Sequence, residues 1–85
     1  MKKFDYIVKV SEGLHARPAG LLVKCAKDCS SDIKILNAGK SADAKRLFSV
    51  MSLGVKQNDK ITLTAEGNNE VNDLEKLKAF CEKNI

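Results

Sequence analysis

A chain of 85 residues with 44% hydrophobic and 31% charged side chains has the balance of a globular domain: too charged to span a membrane, too apolar to stay disordered. At this length folding buries about 60 to 65 per cent of the unfolded chain's surface, so one modest core and a single domain over residues 1–85 are expected. The net charge of +4 does not by itself point to nucleic acid, because the basic residues are interspersed with acidic ones and only three Phe and one Tyr could stack on bases.

The opening Met1-Lys2-Lys3 could begin a signal peptide, but Asp5 and Lys9 interrupt the apolar stretch that such a peptide needs. The run Ala19 to Val23 is far too short to cross a bilayer. A cytoplasmic protein without membrane insertion is therefore expected. Phe4, Tyr6, Val8 and Val10 alternate with Asp5, Ile7 and Lys9, the period of a half-buried strand that should end near Val10. Ser11-Glu12-Gly13 then forms a loop, where a glycine can take backbone angles other residues avoid.

Gly13-Leu14-His15-Ala16-Arg17-Pro18 follows, with the chain's only histidine and only proline. Proline suits the first turn of a helix, where its missing N–H would be unpaired anyway, so a helix is predicted from about Ala16 to Asp28. Leu21, Leu22, Cys25, Ala26 and Cys29 recur at helical spacing as its apolar side, with Lys24 and Lys27 opposite. His15 then falls at the N-cap or just before it. The backbone N–H groups of Ala16 and Arg17 lack intrahelical acceptors there, the helix dipole is positive, and Arg17 adds a fork of donors that suits phosphate oxygens. A lone histidine at a helix start is often only an exposed side chain; the neighbouring arginine and helix start make this one a candidate to carry an anion. Cys25, Cys29 and Cys81 are an odd number without a CxxC pair, and no second histidine exists to complete a metal site. They read as small core hydrophobes, with no disulfide framework, metal or cofactor expected.

Ile33 and Ile35 flank Lys34 in a second strand, Asn37-Ala38-Gly39 is a turn, and Lys40 to Asp43 returns as a short third strand. A short helix from about Arg46 to Leu53 is stopped by Gly54. Its apolar residues surround two turns, too many to face inward, so Leu47, Phe48 and Met51 are expected to form an exposed patch for partners. Lys60 to Glu66 alternates cleanly as a fourth strand, with Ile61, Leu63 and Ala65 inward. Gly67-Asn68-Asn69 turns the chain into a last helix whose face is set by Val71, Leu74, Leu77 and Cys81, with Phe80 beside it. The order βαββαβα predicts an α+β fold, an antiparallel sheet covered on one side by helices.

The seven residues Gly13-Leu14-His15-Ala16-Arg17-Pro18-Ala19 resemble the active-site signature of the HPr family, the histidine phosphocarriers of the bacterial phosphotransferase system. Gly39-Lys40-Ser41, Lys45, Leu47-Phe48 and Val50-Met51-Ser52-Leu53-Gly54 are similar to that family's second helix and its approach, so the resemblance covers essentially the whole chain. It implies an open-faced β-sandwich with sheet order 1-4-2-3 and three helices on one face. It also implies that His15 takes a phosphoryl group on Nδ1 from phosphorylated Enzyme I, which draws on phosphoenolpyruvate, and gives it to sugar-specific Enzyme II components. Arg17 and the amides of Ala16 and Arg17 would steady the phosphate; Leu47, Phe48, Met51, Lys24 and Lys27 would meet the partners. A monomer is expected. With no carboxylate pair, Ser/His/Asp set or P-loop, the chain is built to carry the group as a stoichiometric substrate and donor, not to act as an enzyme.

Two positions depart from the family pattern. Arg46 stands where a regulatory serine commonly opens the second helix, so no hydroxyl is available there, and its charge meets the positive end of a helix at a cost of about 0.3 to 1 kcal/mol. Glu12 replaces a short polar residue; its carboxylate should either repel a phosphate on His15 or hold Arg17 while the site is empty. These departures leave room for a paralogue in a regulatory phosphorelay. A small basic module binding nucleic acid or another anion is the reading from a different class.

Overall fold

The computed structural model describes all residues, 1–85. Its elements are β1 (Lys2–Ile7), α1 (Ala16–Lys27), β2 (Asp32–Asn37), β3 (Lys40–Asp43), α2 (Leu47–Met51), β4 (Lys60–Glu66) and α3 (Glu70–Asn84). The four strands make one antiparallel sheet in the order β1-β4-β2-β3, as the resemblance implies. Alternation sorts the two faces. Ile33 and Ile35 of β2 and Ile61, Leu63 and Ala65 of β4 are buried, whereas Asp32, Lys34 and Lys60 stand on the open face. Leu63 pairs with Phe4 on one side and Ile35 on the other, so the centre of the buried face is apolar across three strands.

β1 stops at Ile7, short of the expected Val10. The amide of Val8 turns to the Asp59 carbonyl (3.0 Å), and those of Lys9 and Val10 both reach the Ile85 carbonyl at the foot of α3 (2.6 and 3.2 Å). Val8 remains fully buried, so the apolar alternation outlasts the strand pairing. The hairpin between β2 and β3 turns on Ala38 and Gly39, both at positive φ (52° and 82°), as a type I′ turn requires.

α1 buries Ala19, Leu22, Val23 and Ala26, the i, i+3, i+4, i+7 stripe of one helix face. Leu21, expected inward, is 43% exposed: with the stripe centred between Leu22 and Val23, it is carried round to the side of Lys24. Cys25 is half-buried and Cys29 buried just past the helix end. There Lys45 Nζ donates to the Cys29 carbonyl (3.1 Å) and so serves the negative end of α1.

α2 spans five residues, fewer than the Arg46-to-Leu53 helix expected. Leu53 and Gly54 donate to Val50 and Met51, three residues back (both 3.2 Å), tightening the last turn before Gly54 takes φ +63°. In α3 the buried residues are Asp73, Leu77 and Cys81. Val71, expected on this face, is 53% exposed. Asp73 takes the inward place because its carboxylate accepts from the Ser31 amide (2.9 Å) and from Asn69 Nδ2 (3.0 Å), joining the first turn of α3 to the link between α1 and β2. Asn69, expected as the cap, makes no side-chain cap bond of its own.

Candidate functional site

The loop that delivers the histidine is fixed before the helix begins. Gly13 donates to the Val10 carbonyl (3.0 Å), Leu14 donates to the Val55 carbonyl (3.1 Å), and the Leu14 side chain is buried. Gly13 sits at φ +68°, and a Cβ there would overlap the Val55 carbonyl oxygen and come within 2.8 Å of the Lys56 Cα. Glycine is thus required twice, for its backbone angle and for this close approach. With the residues before it pinned, His15 becomes the N-cap of α1, extended at φ −83° and ψ −168°, its carbonyl accepting the first helical bond from Ala19 (2.9 Å).

Of the next three residues, Pro18 has no N–H, and the amides of Ala16 and Arg17 find no backbone acceptor. The first turn holds no acidic side chain to occupy them. Two donors and the positive end of a 12-residue helix are therefore free for an anion. The His15 side chain is 45% exposed, and Glu12 Oε1 lies 3.5 Å from its Nε2. Val10, Ser11, Glu12, His15, Arg17 and Pro18 line a shallow, open cleft of about 410 Å³. Arg17 is exposed and in none of the molecule's ion pairs.

The arrangement offers an accessible imidazole nucleophile beside amide donors and one free guanidinium. No group of three or more His, Cys, Asp or Glu side chains is placed to hold a metal ion. Burial pushes the Cys29 thiol up to about 11 and the Cys81 thiol up to about 12, with nearby Asp73 adding to the rise at Cys29, and also raises Cys25. These sulfurs are protonated fillers between the helices rather than nucleophiles.

The other predicted residues stand apart from the cleft. Lys24 and Lys27 are exposed in the later turns of α1. The patch expected on α2 is narrower than its sequence suggests: Phe48 is 83% exposed, while Leu47 and Met51 are half-buried against the core. Arg46 caps α2 with its backbone extended. Asp43 Oδ2 lies 3.8 Å from its Nε and offsets part of its charge. Ser52, expected inside the helix, is its C-cap, with its hydroxyl donating to the Ser49 carbonyl (2.7 Å). The sequence reading missed the Val55 carbonyl that clamps the loop, since nothing local at Val55 signals a contact with Leu14.

The family model for the phosphotransferase-system HPr component phosphorylation site matches residues 2–83. The chain belongs to the HPr family. Among HPr relatives, the phosphocarrier protein HPr of Mycoplasma pneumoniae is 42% identical over 98% of this chain and 96% of its own. The HPr-like protein Crh of Halalkalibacterium halodurans is 45% identical over 89% of this chain and 90% of its own. The crystal structure of HPr-C-His from Thermoanaerobacter tengcongensis superposes with a TM-score of 0.93 at 38% identity, covering 99% of this chain and 94% of that one. HPr proteins are phosphocarriers of the phosphotransferase system, and this chain has their fold.

Proposed function

We propose that this chain accepts a phosphoryl group on His15 from phosphorylated Enzyme I and passes it to sugar-specific Enzyme II components during phosphoenolpyruvate-dependent sugar uptake. The observation that carries this reading is the half-exposed His15 at the N-cap of α1, with the amides of Ala16 and Arg17 unpaired beside it. In the accepting step the Nδ1 lone pair forms a bond to phosphorus while the donor's P–N bond breaks and its electron pair returns to the donor. The amides and Arg17 meet the charge on the phosphoryl oxygens. A carrier must hold this group long enough to diffuse and no longer, which a shallow cleft with few donors favours over an enclosing pocket. Phe48, with Leu47 and Met51 behind it and Lys24 and Lys27 along α1, offers the apolar and basic contacts for acidic partners.

The test is to incubate the protein with Enzyme I, phosphoenolpyruvate, a sugar-specific Enzyme II and its sugar. An acid-labile, alkali-stable phosphate mapping to His15, together with phosphorylated sugar, is the expected result. His15→Ala should abolish both, and an unlabelled His15 would sink the reading. Labelling without onward transfer would favour a regulatory phosphorelay, the reading for which Arg46 and Glu12 leave room.

A further inference from the structure

Glu12 is the acidic residue of the cleft, and its carboxylate lies against the imidazole rather than Arg17. We propose that Glu12 is a positioning residue that keeps the proton on His15 Nε2 throughout phosphoryl transfer. The inference deepens the proposed function and rests on His15 as the acceptor.

The argument begins with the two ring nitrogens, which point away from one another. In a neutral imidazole one carries the proton and the other the lone pair, and the hydrogen-bond partner of one decides the state of its opposite. Glu12 Oε1 stands 3.5 Å from Nε2, a separation typical of a resting site that tightens as charge develops. A carboxylate there favours Nε2–H and leaves the Nδ1 lone pair free. When Nδ1 bonds to phosphorus the ring becomes a cation, with its proton still on Nε2 beside the carboxylate. When the group departs, the P–Nδ1 electron pair returns to the ring, which leaves as neutral imidazole. Without the Nε2 proton it would have to leave as imidazolate, a far poorer leaving group. Accepting and donating then both proceed without moving a ring proton.

Arg17 is the other charged residue lining the cleft. Of the charged groups on the segments packed against this loop, Lys9 Nζ lies 5.8 Å from the centre of the Tyr6 ring, Asp59 accepts from the Lys56 amide (2.9 Å), Lys56 pairs with no acid, and the chain-end carboxylate at Ile85 accepts from the amides of Lys9 and Val10 (2.6 and 3.2 Å). Glu12 alone of the acids comes within ion-pair distance of the His15 ring. Glu12 is therefore the carboxylate placed to stabilise the ring cation.

The test uses full-length protein phosphorylated chemically with potassium phosphoramidate, so that it does not depend on Enzyme I. The rate of phosphohistidine hydrolysis is followed against pH for the parent chain and Glu12→Gln. Loss of this exposed ion pair predicts that the pH at which half the rate is lost falls by about half a pH unit in Glu12→Gln, equivalent to about 0.7 kcal/mol. At a fixed pH on the falling limb the phosphate then lasts about threefold longer. Nitrogen-15 NMR of the unphosphorylated ring should show Nε2–H predominating in the parent and a smaller share of that tautomer in Glu12→Ala. Superimposable hydrolysis profiles with unchanged tautomer populations would overturn the proposal. A shifted profile in a protein that Enzyme I fails to label would uphold the role of Glu12 while removing the Enzyme I reading.

Discussion

Arg17 is exposed at the second position of α1, and no ion pair constrains it. Under the proposed function a guanidinium so placed would serve the cleft more than the fold. Arg17→Ala should slow phosphoryl transfer from Enzyme I by roughly ten- to a hundredfold, the worth of one hydrogen bond to a charged group, and change stability by less than about 0.5 kcal/mol. Rapid-quench transfer kinetics and thermal denaturation would check the two halves separately. A single histidine, an arginine two places on and a proline that must open a helix made this site readable from seven adjacent residues. Its supports were less visible. The collision that forbids a side chain at Gly13 is with the Val55 carbonyl, and one strand of text holds no sign of what backbone will approach it. Glu12 could be recognised as unusual, but which of its neighbours it would face depended on a loop conformation that those distant contacts set.

α3 is tied to the rest of the helical layer by a buried carboxylate. Burial pushes Asp73 up, but the bonds from Ser31 and Asn69, with Lys76 nearby, outweigh it and hold the carboxyl below its ordinary value of 3.8. Because the folded-state value is the lower one, the unfolded chain binds the proton more readily. The stabilisation is therefore complete above about pH 4 and is lost as pH falls through the depressed folded value. Asp73→Asn should cost about 1 to 3 kcal/mol at neutral pH, since one amide cannot reproduce the carboxylate's pair of acceptors for Ser31 and Asn69. It should also flatten the acid limb of stability, measured by denaturant unfolding from pH 2 to 7. Periodicity misses this element-scale device because it ranks side chains by polarity. It set Val71 inward and passed over Asp73, whereas the first turn of α3 spends its buried position on a hydrogen-bond acceptor for a distant amide. The same limit explains Leu21, since spacing gives the width of a helix's apolar stripe more securely than its centre. β3 and β4 were legible to the residue because turn signals bound them closely; α2 was not, because its end winds into tighter bonds.

At the scale of the molecule, the helices and buried sheet face share one apolar core while the opposite sheet face stays polar. Strand alternation predicted that division. The order β1-β4-β2-β3 came only with the family resemblance, since alternation says which way a side chain points and not which strand lies alongside. Phe48 is the large side chain that this core most conspicuously leaves out, at 83% exposure. Phe48→Ala should thus alter folding stability by less than about 0.5 kcal/mol yet weaken binding to Enzyme I by tenfold or more, the loss expected when an aromatic anchor is truncated. Titration calorimetry beside a thermal melt would separate the two, and unchanged affinity would move the interface elsewhere. Pro18 acts at both ends of this chain of scales. A phosphoryl cargo would bring three terminal oxygens, but the turn beside His15 has only the Ala16 and Arg17 backbone amides to offer, because the third position is an imino acid. In the proposed carrier the third oxygen would fall to the exposed Arg17 side chain or to whatever protein docks next: the residue that sets where the coil begins would also cap how firmly its passenger can be moored.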